Sequence, residues 1–177
     1  MQNFTTNLNT NLLEIRGFSN IIFLCIGTDK IIGDAFGPIV GQKLKNVMGN
    51  LKNVKIIGDL ETPIIYQDIE KIEREVYKSY EKPYIICIDA ALSKTITNGQ
   101  IILEKNSMRI GSVLGKKEKE IGNLSIKGVV AQKGKNYKEN FIALTKVPIK
   151  RLNMMTNEVV SGIQQNVYLL QNWVNLD

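Results

Sequence analysis

Two aspartates follow apolar runs, one at once and one across a short loop, and their side chains are the ones whose type and placement suit chemistry. Asp34 lies in Gly33-Asp34-Ala35-Phe36-Gly37-Pro38, a short turn behind the run Ile21 to Ile26. Asp89 follows the run Tyr84 to Ile88 at once. Unbroken apolar runs of this length read as strands buried on both faces. If the two strands neighbour each other in a parallel sheet, both carboxylates reach its carboxyl edge, where open α/β sheets collect ligands. Two close carboxylates do not both ionise cheaply, so one keeps a proton near neutral pH while the other stays charged. The charged member can activate a water and the protonated one can donate to a leaving group. A second reading of Asp34 stays open. Pro38 suits the first turn of a helix, and the Asp34 side chain can then cap that turn.

The elements needed to hold such a pair can be read along the chain. Residues 1–19 are rich in Asn and Thr with a weak Leu8, Leu12, Ile15 pattern, and are expected as an N-terminal arm or ragged helix. Residues 20–177 are expected as a single α/β domain. Behind the first strand, Ile39, Val40, Leu44, Val47 and Met48 share one helical face, and Gly49 is a plausible stop. Val54 to Ile57 reads as a second strand. Thr62-Pro63 reads as a helix start, with Ile65, Ile69, Ile72, Val76 and Tyr80 forming its apolar stripe. Further short strands are expected at Gln100–Leu103, Ser125–Ala131 and Phe141–Thr145, and Pro148 opens a last helix whose apolar face runs from Ile149 through Leu152, Met155, Val159, Ile163, Val167 and Leu170 to Val174. Strands alternating with helical patterns predict crossovers and a mostly parallel sheet. The fold class is therefore α/β.

Composition narrows the function. The 177 residues suffice for one sizeable core. There are 0 histidines, which removes Ser–His and Cys–His catalysis and the commonest zinc ligand sets. The net charge of +6 is spread thinly. The one cluster, Lys116, Lys117 and Lys119, has no interleaved aromatics, which argues against nucleic acid. No apolar run approaches a membrane span, and the N-terminus does not read as a signal peptide. Cys25 and Cys87 fall inside apolar runs, as reduced buried thiols of a cytoplasmic protein do. The loop Arg109 to Lys116 is not a Walker loop, and Gly27, Gly33 and Gly37 are spaced wrongly for a dinucleotide fingerprint.

The order of these motifs resembles known families. Gly33-Asp34-Ala35-Phe36-Gly37 after one strand and Ile88-Asp89-Ala90 after another are similar to the hydrogenase maturation endopeptidases. In that family a histidine completes a metal-binding trio. Asp-Ala after the strand and Gly111-Ser112-Val113-Leu114-Gly115-Lys116 resemble the bacterial germination protease. From about residue 20 to the end, these motifs followed by Gly122-Asn123-Leu124-Ser125-Ile126-Lys127-Gly128 look most like the YyaC-like sporulation protein family. The resemblance implies a three-layer α/β/α sandwich with a mixed, mostly parallel sheet. It also implies a sporulation-associated, cytoplasmic peptidase that hydrolyses peptide bonds of a protein or peptide substrate.

In that reading Asp34 and Asp89 are the catalytic pair, and Gly33, Gly37, Gly111, Ser112, Gly115 and Lys116 bind substrate, their turns supplying backbone N–H groups to an oxyanion. The Gly111–Lys116 loop is expected to be mobile at the mouth of the cleft, with a solvated surface turn as the other reading. No cofactor is required. If a divalent metal takes part, Asp34, Asp89 and Glu61 offer all-oxygen ligands suited to Mg²⁺, Ca²⁺ or Mn²⁺. The alternative function is a non-catalytic sporulation factor that keeps the fold and binds a protein partner. The sequence leaves the oligomeric state open.

Overall fold

Alternate residues of the first strand, β1 (Asn20–Cys25), go to opposite faces of the sheet, and both faces are dry. Phe23 and Cys25 join one apolar cluster and Ile22 and Leu24 the other. The computed structural model describes residues 4–13, 18, 20–111 and 117–174. Before β1, helix α1 (Phe4–Leu13) buries Leu8 and Leu12 and packs on the last helix, so the stretch expected as an arm contributes to the core. After β1 come a 3-10 turn (Ile32–Ala35), helix α2 (Phe36–Met48), strand β2 (Val54–Ile57), helix α3 (Ile69–Ser79) and strand β3 (Pro83–Ser93). Strands β4 (Ile101–Glu104), β5 (Met108–Ile110), β6 (Lys119–Ile121) and β7 (Leu124–Gln132) follow, then helices α4 (Tyr137–Thr145) and α5 (Ile149–Val174).

The main sheet has five strands in the order β2-β1-β3-β7-β4. β2, β1, β3 and β7 run parallel, and β4 runs antiparallel to β7. β5 and β6 form a separate antiparallel hairpin. One face carries α1, α2, α4 and α5 through residues such as Leu8, Phe36, Leu144 and Val159. The other carries α3 and the hairpin through Ile69, Ile72, Met108 and Ile121. The result is an α/β/α sandwich with a mixed, mostly parallel sheet. Full burial of each large apolar side chain contributes roughly 1.5–3 kcal/mol. Phe36 is fully buried and lies over Gly128 of β7, which pins the start of α2 to the sheet two residues after Asp34. The chain leaves β1 in opposite directions to β2 and β3, so the β1/β3 boundary is a topological switch point.

Four local expectations are corrected. Phe141–Thr145 is not a strand but the end of α4, whose start is capped by Asn136 accepting from the Glu139 amide at 3.0 Å. Thr62-Pro63 does not start a helix. Asp59 organises that segment, accepting at Oδ1 from the amides of Glu61 (2.9 Å) and Thr62 (2.6 Å), and α3 begins only at Ile69. The run expected to stop at Ile88 continues to Ser93. Arg109 and Ile110, read as loop, belong to β5.

In α5 the residues Leu152, Met155, Val159, Ile163 and Val167 are buried, whereas Ile149 is exposed; the side chains of Leu170 and Val174 lie outside the described residues. Cys25 and Cys87 are buried and unpaired. Burial raises the pKa of both thiols. Among the described residues no helix is long and apolar enough to cross a membrane.

Candidate functional site

Asp34 is positioned by the way the chain leaves β1. The Ile26 amide donates to the Ile88 carbonyl at 2.8 Å, and the Gly27 amide donates to the Ile64 carbonyl at 2.8 Å. Gly27 then turns with φ +136°, and a Cβ there would lie 2.0 Å from the Asp34 carbonyl oxygen, so only glycine fits. The following loop folds back far enough for Asp34 Oδ2 to accept from the Thr28 amide at 3.0 Å. The capping reading fails. The residue before α2 is Ala35, with no side-chain capping bond, and the Asp34 carboxylate turns toward Thr28 and the cleft.

Asp89 sits inside β3 rather than at its end. The last β1–β3 register pair is Cys25 with Ile88, so Asp89 is the first β3 residue beyond the reach of β1. It is half-buried, and its Oδ1 accepts from the Ala90 amide at 2.7 Å. On the other side its register partner is Lys127 of β7, whose Nζ lies 2.5 Å from Glu104 Oε2. Burial pushes the Asp89 pKa well above the ordinary carboxylate range, and the charge of Asp34 pushes it further. The Ala90 amide and the Lys127 ammonium oppose this without reversing it. Asp34 is raised by burial and pulled back by the Thr28 amide. Of the two, Asp89 is therefore the one that keeps its proton.

Both carboxylates line one cleft of about 670 Å³ at the switch point. Thr28, Tyr66, Glu104 and Lys127 line it too. Of the residues expected to bind substrate, Gly111 lines the cleft, while Ser112, Gly115 and Lys116 lie outside the described residues. Gly33 and Gly37 do not line it. Gly33 is pressed against Leu144 and Val147, and Gly37 against Ile26, where a Cβ would sit 2.1 Å from the carbonyl oxygen. Their requirement for glycine comes from packing. The hairpin carrying Gly111 is tied down by Tyr66, whose hydroxyl donates to the Lys117 carbonyl at 2.6 Å and whose ring lies 4.4 Å from Lys119 Nζ.

Glu61 is also corrected: it is exposed in the Asp59 turn and does not line the cleft. Among the described residues no three His, Cys, Asp or Glu side chains are gathered as a metal ion needs. With no histidine in the chain, the donor set does not fit the three-ligand metal site of the hydrogenase maturation endopeptidases. The two residues that sequence reasoning missed are Lys127 and Glu104. A lysine interrupting the apolar run Leu124 to Ala131 was the available signal for the first.

The sequence model of the family described as "Protein of unknown function (DUF1256)" matches residues 1–162. "Uncharacterized protein YyaC" of Bacillus subtilis (strain 168) is 30% identical over 152 residues, covering 86% of this chain and 70% of that protein. Among solved structures, the NiFe hydrogenase maturation protease HycI from Thermococcus kodakarensis KOD1 superposes with a TM-score of 0.61 at 15% identity, covering 90% of this chain and 99% of that one. The hydrogenase maturating endopeptidase HybD from E. coli gives a TM-score of 0.45 at 13% identity, covering 82% of this chain and 93% of that one. The likeness to HycI extends to the fold.

Proposed function

The chain belongs to the DUF1256 family, and on that premise we propose that it is a sporulation-associated peptidase in which Asp34 and Asp89 hydrolyse a peptide bond. The observation that carries this reading is the pairing of two raised carboxylates, from different elements, in one cleft. The peptidase-like fold supports it. The resemblance of the motif order to the germination protease and the YyaC-like family supplies the sporulation link and a cytoplasmic setting.

Asp34 acts as the ionised base. It takes a proton from water as the oxygen adds to the substrate carbonyl carbon. Asp89 gives its proton to the amide nitrogen as the carbon–nitrogen bond breaks. The proton held by Asp34 then returns to Asp89, and the pair is reset. Lys127, paired with Glu104 and near enough for its charge to act on Asp89, takes the oxyanion-stabilising role expected of the Gly33–Gly37 turn or the Gly111–Gly115 loop.

The test is incubation of the purified protein with small basic spore proteins and with partly unfolded sporulation proteins, with and without chelator. Cleavage that survives chelator and disappears in the Asp34→Asn/Asp89→Asn double variant is expected. Cleavage by that double variant would reject the mechanism. Chelator-sensitive cleavage would replace it with a metal-dependent one. No cleavage by the wild type, with a protein partner recovered from sporulating cells, would leave a non-catalytic binding protein.

A further inference from the structure

The edge of β3 beyond β1 is open to the cleft. Main-chain groups of a strand alternate from side to side. The Ile88 carbonyl faces β1, where it accepts from Ile26. The Ile85 and Ser93 carbonyls face the other way, accepting from Asn123 at 2.8 Å and Lys133 at 3.0 Å. Alternation therefore sends the main-chain groups of Ala90 and Leu92 to the β1 side, but β1 has already left at Gly27. The Ala90 amide is taken by the Asp89 carboxylate. The β3–β7 register shifts between Ala91 and Leu92, where Val130 of β7 is the extra residue, yet the Ser93 carbonyl still faces β7, so the alternation of β3 carries past the shift. Among the described residues, no turn or loop hydrogen bond reaches the Ala90 carbonyl or the main-chain groups of Leu92. Residues 90–93 are half-buried and line the same cleft as Asp34.

Half-buried main-chain groups left over from a sheet are a template for another strand. We propose that an extended polypeptide segment adds to β3 at Ala90–Leu92, in the lane that β1 vacates. The groups on offer suit that occupant. They are an acceptor, a donor and an acceptor at the two-residue repeat of a strand, and Ala90 and Ala91 project no bulk that would block close approach. The lane ends at Asp89, which brings the main chain of the added segment to the two acids. Recognition of this kind reads backbone more than side chains, so the substrate is an unfolded segment of relaxed sequence. The inference rests on the peptidase reading for the identity of the occupant.

The probe is a randomised library of acetylated peptides screened for retention on the Asp34→Asn protein, and the best-retained member is resynthesised with single N-methyl groups. Methylation is expected to weaken binding about tenfold at alternate residues and little at those between, each loss being that of one main-chain hydrogen bond. The Leu92 amide, followed by hydrogen exchange, should become protected when the peptide binds. Leu92→Pro removes that donor and should weaken binding; because the Leu92 side chain also packs against the core, its binding is compared at equal folded fraction, and the N-methyl series carries the test if the variant does not fold. Cleavage by the wild type without Leu92 protection or alternation would overturn strand addition and leave the peptidase reading intact. Binding with both signatures but no cleavage by the wild type would uphold strand addition and reject the peptidase reading. No retention of any peptide would overturn strand addition.

Discussion

Lys127 stands opposite Asp89 across the β3–β7 ladder, yet its ammonium is held 2.5 Å from Glu104 Oε2. Burial and the charge of Asp34 raise the Asp89 pKa, the Lys127 ammonium lowers it, and Glu104 competes for that ammonium. Glu104→Gln frees Lys127 and should lower the Asp89 pKa, whereas Lys127→Met should raise it. Carboxyl NMR titration of Asp89 reads both. Identical titrations in the two variants would show that Lys127 does not govern the pair.

Replacing either acid should separate activity from stability. Asp34→Asn and Asp89→Asn are each expected to lower cleavage by about 10²–10⁴-fold, and the double variant to lose little more, because the proton is shared. The folded pKa of Asp89 lies above its unfolded value, so the native state binds the extra proton and stability falls as pH rises from the ordinary carboxylate range through the raised value. Asp89→Asn should therefore stabilise the protein by about 0.5–2 kcal/mol at neutral pH. The gain should vanish below about pH 4, where both states are protonated. Urea unfolding at several pH values checks it. A loss of stability at neutral pH would mean that Asp89 is held as a satisfied charge.

Asp59 titrates in the opposite sense. Burial alone would raise its pKa, but the Lys45 ammonium and the hydrogen bonds from Thr62 hold it down to about 2. Stability from this group is present above the unfolded pKa and is lost as pH falls through the folded one. Asp59→Asn should cost about 1–2 kcal/mol at neutral pH, the figure being tempered because Lys45 is partly open to solvent. That cost should shrink between about pH 4 and pH 2. Combining Asp59→Asn with Asp89→Asn should leave two roughly additive effects, since the cleft does not include Asp59.

Much of this architecture was legible because it follows from burial. The run Ile21 to Ile26, the α2 face and the α5 stripe are periodic patterns, and the structure buries most of them, with Ile21 and Ile39 half-buried and Val47 and Ile149 exposed. The failures came where a short apolar run fits two structures. Phe141 to Thr145 reads equally as strand or helix, and the better signal was Asn136 three residues before Glu139, a capping pair. Asp89 does not end its strand, since β3 runs on to Ser93; it lies just past the last residue that β1 pairs with. The Thr28 partner of Asp34 was not legible. It depends on a loop folding back over six residues, which no local spacing encodes.

Gly37, which sequence reasoning assigned to substrate binding, and Gly27, which it did not, should both behave as packing residues. At Gly37 a Cβ would meet the Ile26 carbonyl at 2.1 Å, and at Gly27 it would meet the Asp34 carbonyl at 2.0 Å with φ +136° besides. Backbone cannot give way at either place without moving the β1 exit, so each alanine variant should lose about 3 kcal/mol or more. The two differ in what they disturb. Gly27→Ala pushes directly on Asp34 and breaks the approach that lets Thr28 donate to it, so the surviving folded fraction should lose kcat. Gly37→Ala moves α2 against Ile26, and its folded fraction should lose stability with KM unchanged. Melting curves, with kinetics corrected for the folded fraction, distinguish them. A Gly37→Ala protein of normal stability and raised KM would restore the substrate-binding role to that turn.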